Sequence, residues 1–523
     1  MGNVKLYDTT LRDGSQAEGI SYSVMDKVRI AEELDKFGIH YIEGGWPGSN
    51  PKDREFFEKI SKIQLKNSKI AAFSMTRRPK ISASHDSNIA ALLKSKAQVI
   101  TIVGKTWDFH VTEVLKTTLN ENLAMISDTV SFLVKKGFIV FYDAEHFFEA
   151  YEANKDYALK TLSSAHTAGA KSICLCDTNG GTLTAKTVRI IREIKSKIKI
   201  DLGIHCHNDA GVAIANSLAA VEAGINIIQG TINGYGERCG NADLIPIIAN
   251  LKIKMGINCV SDVQLKRLSH LSHFVSEISN MRVKNEQPFV GDSAFAHKGG
   301  MHINAIMKNP LTYEHIDPSL VGNHRRILVS ELGGKTGILL RAKALNYNLS
   351  KGDPQTKKIL DLVQSLEHKG FQFEAAEASF QILMQRALKK FKKFFELEGF
   401  KVVIEKTEDK KIISEAIIKL RVNGIREHTA AEGDGPINAL DNALRKALKD
   451  FYPTLAKMHL SDFKVRVLDE KAGTAARVRV LIQSQDAEDV WNTIGVHENI
   501  IEASWQALVD SVEYKLLKDQ ISS

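Results

Sequence analysis

Along its first half the chain alternates short apolar runs with longer stretches in which apolar residues return every three or four positions. The runs are VKLYDTT (4–10), IHYIEGG (39–45), SKIAAFS (68–74), AQVITIVG (97–104), FIVFYDAE (138–145), KSICLCD (171–177), IDLGIHCH (200–207) and INIIQGT (225–231). Runs apolar on both faces predict strands buried on both sides, and the amphipathic stretches between them predict covering helices. One helix shows its ends plainly: in SVMDKVRIAEELDKFG, Ser23 and Asp26 form a capping-box pattern and Gly38 a stop. Eight such units in about 250 residues match a (β/α)8 barrel in count and length. The competing α/β architecture, a doubly wound open sheet, offers no GxGxxG after the first strand here.

From about residue 396 a second rhythm begins, and it repeats. KVVIEK, IISEAIIKLRVNG and a helix NALDNALRKAL are followed by FKVRVLDE, ARVRVLIQS and a helix IIEASWQALVDSV, with Ala443-Leu444 falling on Ala507-Leu508 at an offset of 64 residues. Each copy ends strand, loop, helix, which predicts a pseudo-twofold βα domain. A glycine-bearing loop that opens on a helix N-terminus offers free N–H groups and a favourable dipole to an anion. From the residues alone, this domain is either a ligand-binding module or an assembly module. The expected division is a barrel over 1–278, mostly helical linker subdomains over 279–395, and the repeated domain over 396–523. GKTG (334–337), within the linker, lacks the GxxxxGK[ST] spacing of a phosphate loop, so no nucleotide is expected there.

Composition narrows the classes. At 523 residues, 43% hydrophobic and 25% charged, the chain suits a multidomain globular enzyme. Its net charge of +8 is spread over 70 basic and 62 acidic residues, without the basic, aromatic-laced block of a nucleic-acid groove. Five cysteines make no disulfide framework, and Cys174, Cys176 and Cys206 fall in predicted buried strands, where a reduced thiol packs as a small apolar residue. The first residues enter a strand without a signal sequence, and no stretch approaches the ~20 apolar residues of a membrane span, so a cytoplasmic location and no membrane partner are expected.

The chemistry gathers at strand ends. His205 and His207 project to one side of the seventh run, as residues two apart on a strand must. Two imidazoles so spaced either share a divalent metal ion or sit satisfied in a core. The other strand ends carry Arg12 and Asp13, Glu43, Asp143 and Glu145, Asp177 and Thr178, and Asn233 through Asn241. In a parallel barrel these C-terminal ends converge on one mouth, where active sites lie.

Three motifs, DTTLRDGSQ (8–16), HCHND (205–209) and NGYGERCGNADL (233–244), resemble the signatures of the metal-dependent acyltransferase branch of barrel enzymes, which includes the 2-isopropylmalate, homocitrate and citramalate synthases. EGGWPGSNPKD (43–53), the stretch 101–126, DAEHFFEAY (143–151), FAHKGGMHINA (295–305) and the C-terminal 495–518 are similar to the long citramalate synthases. The likeness covers essentially the whole chain. Ser15 departs from it, because the wider family more often has Glu after Asp-Gly; that position is not a family ligand.

The resemblance implies a Claisen-type condensation: the methyl carbon of acetyl-CoA adds to the ketone of pyruvate, and thioester hydrolysis releases (R)-citramalate and CoA. A larger 2-oxo acid, or acyl-CoA cleavage on the same barrel, is the alternative. It implies a divalent metal ion (Zn, Mn, Co or Mg) on Asp13, His205, His207 and Asn241, with open positions for the oxo acid. Arg12 is implied to meet the substrate carboxylate and the developing alkoxide, with Thr178 and Tyr142 as further substrate contacts. The structural alternative for Arg12 is a salt bridge at the barrel mouth with Glu145, and both roles can hold together. Glu145 is the implied carboxylate beside the acetyl group. His302 and Tyr313 are the implied pair from outside the barrel, suited to polarising the thioester and activating water. For the C-terminal domain the resemblance implies isoleucine as feedback inhibitor, near Gly433, Asp434, Gly435, Pro436, Gly495, Asn499 and Ile500, and a homodimer.

Overall fold

All eight apolar runs form strands: β1 (Lys5–Asp8), β2 (Tyr41–Gly45), β3 (Lys69–Met75), β4 (Val99–Lys105), β5 (Ile139–Glu145), β6 (Ser172–Asp177), β7 (Asp201–Cys206) and β8 (Ile227–Gly230). They pair in parallel and in sequence order, and β8 closes onto β1. The (β/α)8 barrel predicted by the periodicity is the fold found. The structure, a computed structural model, describes residues 4–328, 352–406, 412–468 and 476–522, with a few positions between 339 and 350. The GKTG segment lies outside the described residues.

Odd-numbered residues face the barrel interior on every strand except β6, where the parity shifts and Cys174 and Cys176 stand beside interior Asp143. Tyr7, Ala71, Val99, Phe141 and Ile227 form the barrel's apolar floor. The residues between them, such as Leu6, Ile42, Ile100, Val140, Ile204 and Ile228, with Ile173 on β6, pack outward in the large core shared with the helices. This two-sided burial is why the strands read as continuous apolar text. The first helix, Val24–Phe37, starts with the expected capping box, in which Ser23 accepts from the Asp26 N–H and Asp26 from the Ser23 N–H; Gly38 ends it at φ 96°.

The chain divides into one unit of residues 1–295 with 316–325 and a second of 296–315 with 326–523. In the second unit each repeat is three antiparallel strands and a helix. The first copy is β11 (Glu396–Lys406), β12 (Ile412–Val422), β13 (Ile425–Gly433) and helix Pro436–Leu448; the short strands β9 (Ala296–His297) and β10 (Arg326–Ile327) precede it. The second is β14 (His459–Val467), β15 (Val478–Gln485), β16 (Val490–His497) and helix Ile500–Ser522. The helices start 64 residues apart, at the offset read from the sequence. The third strand of each copy is not among the elements predicted. For β13 a signal existed: Asn423-Gly424, at φ 48° and 83°, is a two-residue hairpin turn that returns the chain along β12. Helix Glu377–Ala387 also belongs with this layer, since Arg386 donates to Asp510 at 3.1 Å and to Glu513 at 2.5 Å on the last helix. Among the described residues no helix is long and apolar enough to cross a membrane.

Candidate active site

The barrel mouth holds a cavity of about 290 Å³ lined by Arg12, Asp13, His205, His207, Glu145 and Thr178, with an apolar wall of Trp46, Phe73, Met75 and Val103. A turn after β1 places the first two. Asp8 accepts from the Thr10 N–H and hydroxyl, and Arg12 and Gly14 donate back to the Thr9 carbonyl. Arg12 is thereby held by two carboxylates: its Nε donates to Glu43 Oε2 at 2.5 Å and its Nη1 to Asp13. Glu43 is steadied from below by the Tyr7 hydroxyl at 2.7 Å, and the guanidinium lies 4.1 Å over the Phe73 ring. Planar stacking and two charge-assisted contacts leave the guanidinium one orientation.

β7 ends at Cys206, so His205 lies on the strand and His207 just beyond it. His207 is fixed by an isolated antiparallel bridge to Asn241. His205 Nδ1 shares a hydrogen bond with Gln229 Oε1 at 3.0 Å, and Gln229 Nε2 donates to Asp143 Oδ1 at 3.0 Å. That leaves His205 Nε2 facing Asp13, 3.6 Å from Oδ2. Asn241 Nδ2 donates to the Tyr235 carbonyl at 3.1 Å. The loop can curl so tightly because Gly236 sits at φ 158°, and any Cβ there would overlap the Asn241 amide.

Three buried atoms of this set, Asp13 Oδ2, His207 Nδ1 and Asn241 Oδ1, have no hydrogen-bond partner among the described residues. Such orphans cost roughly 1–3 kcal/mol each unless something else satisfies them. Electrostatics shape them as cation ligands. Burial works against the Asp13 carboxylate, yet Arg12 and the two imidazoles outweigh it and hold its pKa below the usual range. Burial lowers His205, and burial with the neighbouring His205 takes His207 down to about 3, so both imidazoles are neutral. One carboxylate, two neutral imidazoles and an amide oxygen suit a divalent ion. Asp143, Cys174 and Cys176 also bring ligand atoms within 4.8 Å of one another. Burial, however, keeps the Cys174 thiol well above its ordinary value and pushes Asp143 up to about 8, so a metal there would have to displace protons, unlike one at the ionised Asp13 and neutral imidazoles.

Two expectations are corrected. Arg12 does not pair with Glu145: Arg12 is engaged by Glu43 and Asp13, and Glu145 pairs instead with Lys105 at 2.5 Å. Tyr142 does not line the mouth. It is an even-numbered residue of β5, fully buried between strand and helices with its ring over Gly104, so the period of two turns it away from the interior. Thr178 does line the mouth, and its hydroxyl accepts from the His146 N–H at 2.9 Å. Lys105 and Gln229 were missed, although both are odd-numbered strand residues that facing alone would have flagged.

In the second unit, His302 on helix Gly300–Lys308 stacks on Tyr313, ring centroids 4.1 Å apart. The residues expected to bind an effector are partly recast. Gly495 lies inside β16, where a Cβ would overlap the Ala503 carbonyl, and Gly433 closes β13 against Ala439. Their lack of a side chain is therefore a packing requirement. Asn499 Oδ1 accepts from the Ile501 and Glu502 N–H groups, so the helix after Ile500 caps itself. Asp434 N–H is taken by Asn438 Oδ1, whereas Gly435 before Pro436 makes no side-chain cap. A larger feature runs along helix Pro436–Leu448: a cavity of about 990 Å³ walled by Ile437, Leu455, Met458, Leu460 and Phe463, with Arg445 and Asp441 also lining it.

The HMGL-like family pattern matches residues 3–275, a homocitrate synthase post-HMGL domain-like pattern residues 289–370, and a LeuA allosteric (dimerisation) domain pattern residues 374–516. The chain belongs to the HMGL-like family, in its 2-isopropylmalate and homocitrate synthase branch. Its relatives include an (R)-citramalate synthase of Geobacter sulfurreducens, 56% identical over 521 residues (99% of each chain). Another, from Aquifex aeolicus, is 51% identical over 519 residues, 99% of this chain and 98% of that one. A 2-isopropylmalate synthase of Methanocaldococcus jannaschii is 30% identical over 519 residues, 98% of this chain and 95% of that one.

Proposed function

We propose that this chain condenses acetyl-CoA with pyruvate and hydrolyses the thioester, giving (R)-citramalate and CoA. The observation that carries the reading is the mouth itself, where orphaned Asp13, His207 and Asn241 atoms meet His205 beside a doubly anchored Arg12. The full-length likeness to (R)-citramalate synthases supports the choice of substrates.

Asp13, His205, His207 and Asn241 would hold a divalent ion, which when bound supplies Lewis-acid polarisation of the 2-oxo acid. Arg12, locked by Glu43 and Phe73, presents its remaining N–H groups to the substrate carboxylate and to the oxyanion that develops at the former ketone. Thr178 offers a hydroxyl at the same rim. Glu145 removes the acetyl methyl proton. His302 and Tyr313 take the parts that the resemblance gives them, polarising the thioester carbonyl and activating water; their close stacking supports a joint role. The apolar wall of Trp46, Phe73, Met75 and Val103 suits the methyl group of pyruvate.

Regulation by isoleucine and assembly as a homodimer belong to the same proposal. The LeuA-type domain supports both, and the C-terminal cavity of about 990 Å³ is apolar enough for a branched side chain. CoA release measured with pyruvate, 2-oxoisovalerate and 2-oxoglutarate, with and without chelator, tests the reaction. Preference for 2-oxoisovalerate, or turnover unaffected by chelation, would overturn it.

A further inference from the structure

Glu145 does not have the partner that its position across from Arg12 suggested. Arg12 is already engaged by Glu43 and Asp13. The cation beside Glu145 is Lys105, whose Nζ lies 2.5 Å from Oε2. The pairing is built into the sheet. Lys105 and Glu145 are the last residues of β4 and β5, and the parallel register sets their Cα atoms directly opposite. Both are odd-numbered, so both side chains emerge on the interior face and line the cavity. Both are mostly shielded, at 13% and 22% side-chain exposure, so solvent screens the pair little.

Other groups near Glu145 supply no competing charge. His110, from the helix after β4, and His146, next along the chain, both feel Glu145, but burial lowers both and takes His146 to about 4. Tyr142 on its own strand and Cys176 on β6 also feel it, and burial with the adjacent acids keeps both protonated; for Cys176 the hydrogen bond to Cys174 opposes this without reversing it. Asp143, two residues back along β5, is taken up by Gln229. Lys105 is therefore the full positive charge in ion-pair range of Glu145 among the described residues.

We infer that Lys105 is a positioning residue for the condensation, holding Glu145 aimed into the cavity from the neighbouring strand. The inference rests on the reading of Glu145 as the group that takes the acetyl proton. A carboxylate base must be fixed in direction relative to the proton it takes, and an opposite charge in ion-pair range on the neighbouring strand does this. The pair also keeps Lys105 from acting as a free cation toward the coenzyme, so its loss should register in turnover rather than in substrate affinity.

The test compares the metal-loaded full chain with Lys105→Met, Lys105→Arg, Glu145→Gln and the Lys105→Met/Glu145→Gln double variant. Lys105→Met should lose about tenfold or more in kcat, with KM for pyruvate and acetyl-CoA within about twofold. Lys105→Arg should restore kcat. In the Glu145→Gln background, Lys105→Met should add nothing. Circular dichroism and bound-metal content, unchanged from the parent, establish that the variants are folded; Lys105→Gln serves if Lys105→Met is not. An unchanged kcat, no rescue by Lys105→Arg, or a loss confined to the KM for acetyl-CoA overturns the inference. A fully active Glu145→Gln would instead strike the reading of Glu145, and the inference with it.

Discussion

His207 and Asn241 face each other across an isolated antiparallel bridge at the barrel mouth. Two backbone hydrogen bonds flank it, Ala242 N–H to the Cys206 carbonyl at 2.8 Å and Asn208 N–H to the Gly240 carbonyl at 2.9 Å. The bridge fixes a ligand-type side chain from the end of β7 beside one from the loop after β8. Neither could be held so by its own strand.

Asn241→Ala should therefore weaken divalent-metal binding by more than the ~10–100-fold that losing an outer hydrogen-bond partner costs. Titration of the metal-free protein followed by calorimetry measures this directly. Unchanged affinity would remove Asn241 from the ligand set.

Arg12→Lys should lower kcat on the order of 10²-fold while metal content stays near that of the parent. An ammonium cannot contact Glu43, Asp13 and a substrate oxygen in one plane. Parallel loss of metal would instead make Arg12 a support for Asp13.

Asp8 is fully buried, and burial lifts its carboxyl to about 7 even though two Thr10 hydrogen bonds oppose the shift. The folded state thus holds a proton that the unfolded chain releases near pH 4. Stability contributed by that proton is complete below the unfolded value and is lost as pH rises toward 7. Asp8→Asn, which keeps an oxygen for Thr10, should flatten this slope. Denaturant midpoints between pH 4.5 and 8 should converge on the parent at the acid end and exceed it at the alkaline end.

Ala456→Trp would fill the C-terminal cavity from its exposed rim. Isoleucine should then no longer slow CoA release, with turnover in its absence unchanged. Retained inhibition would place the effector elsewhere in the domain.

The barrel was legible because its strands are buried on both faces, so period-free apolar runs mark them whatever their neighbours. Facing was legible too: the period of two puts His205 and His207 on one side, and the same rule would have turned Tyr142 outward and flagged Lys105 and Gln229. The 64-residue repeat showed through its helices, whose apolar faces recur, while β13 stayed hidden because none of its residues is fully buried and its text is polar, and β16 because Asn492, Thr493 and Gly495 interrupt its apolar run.

What the residues by themselves determined, then, was the set of strands, the face each side chain takes and the ligand types gathered at one end of the barrel. Only the tertiary structure decided which charges pair. Arg12 with Glu43, and Lys105 with Glu145, depend on strand neighbours and register. Side-chain alternation says which way a residue points, but the distance between two residues on different strands is set by hydrogen-bonded closure of the sheet, which no local pattern encodes.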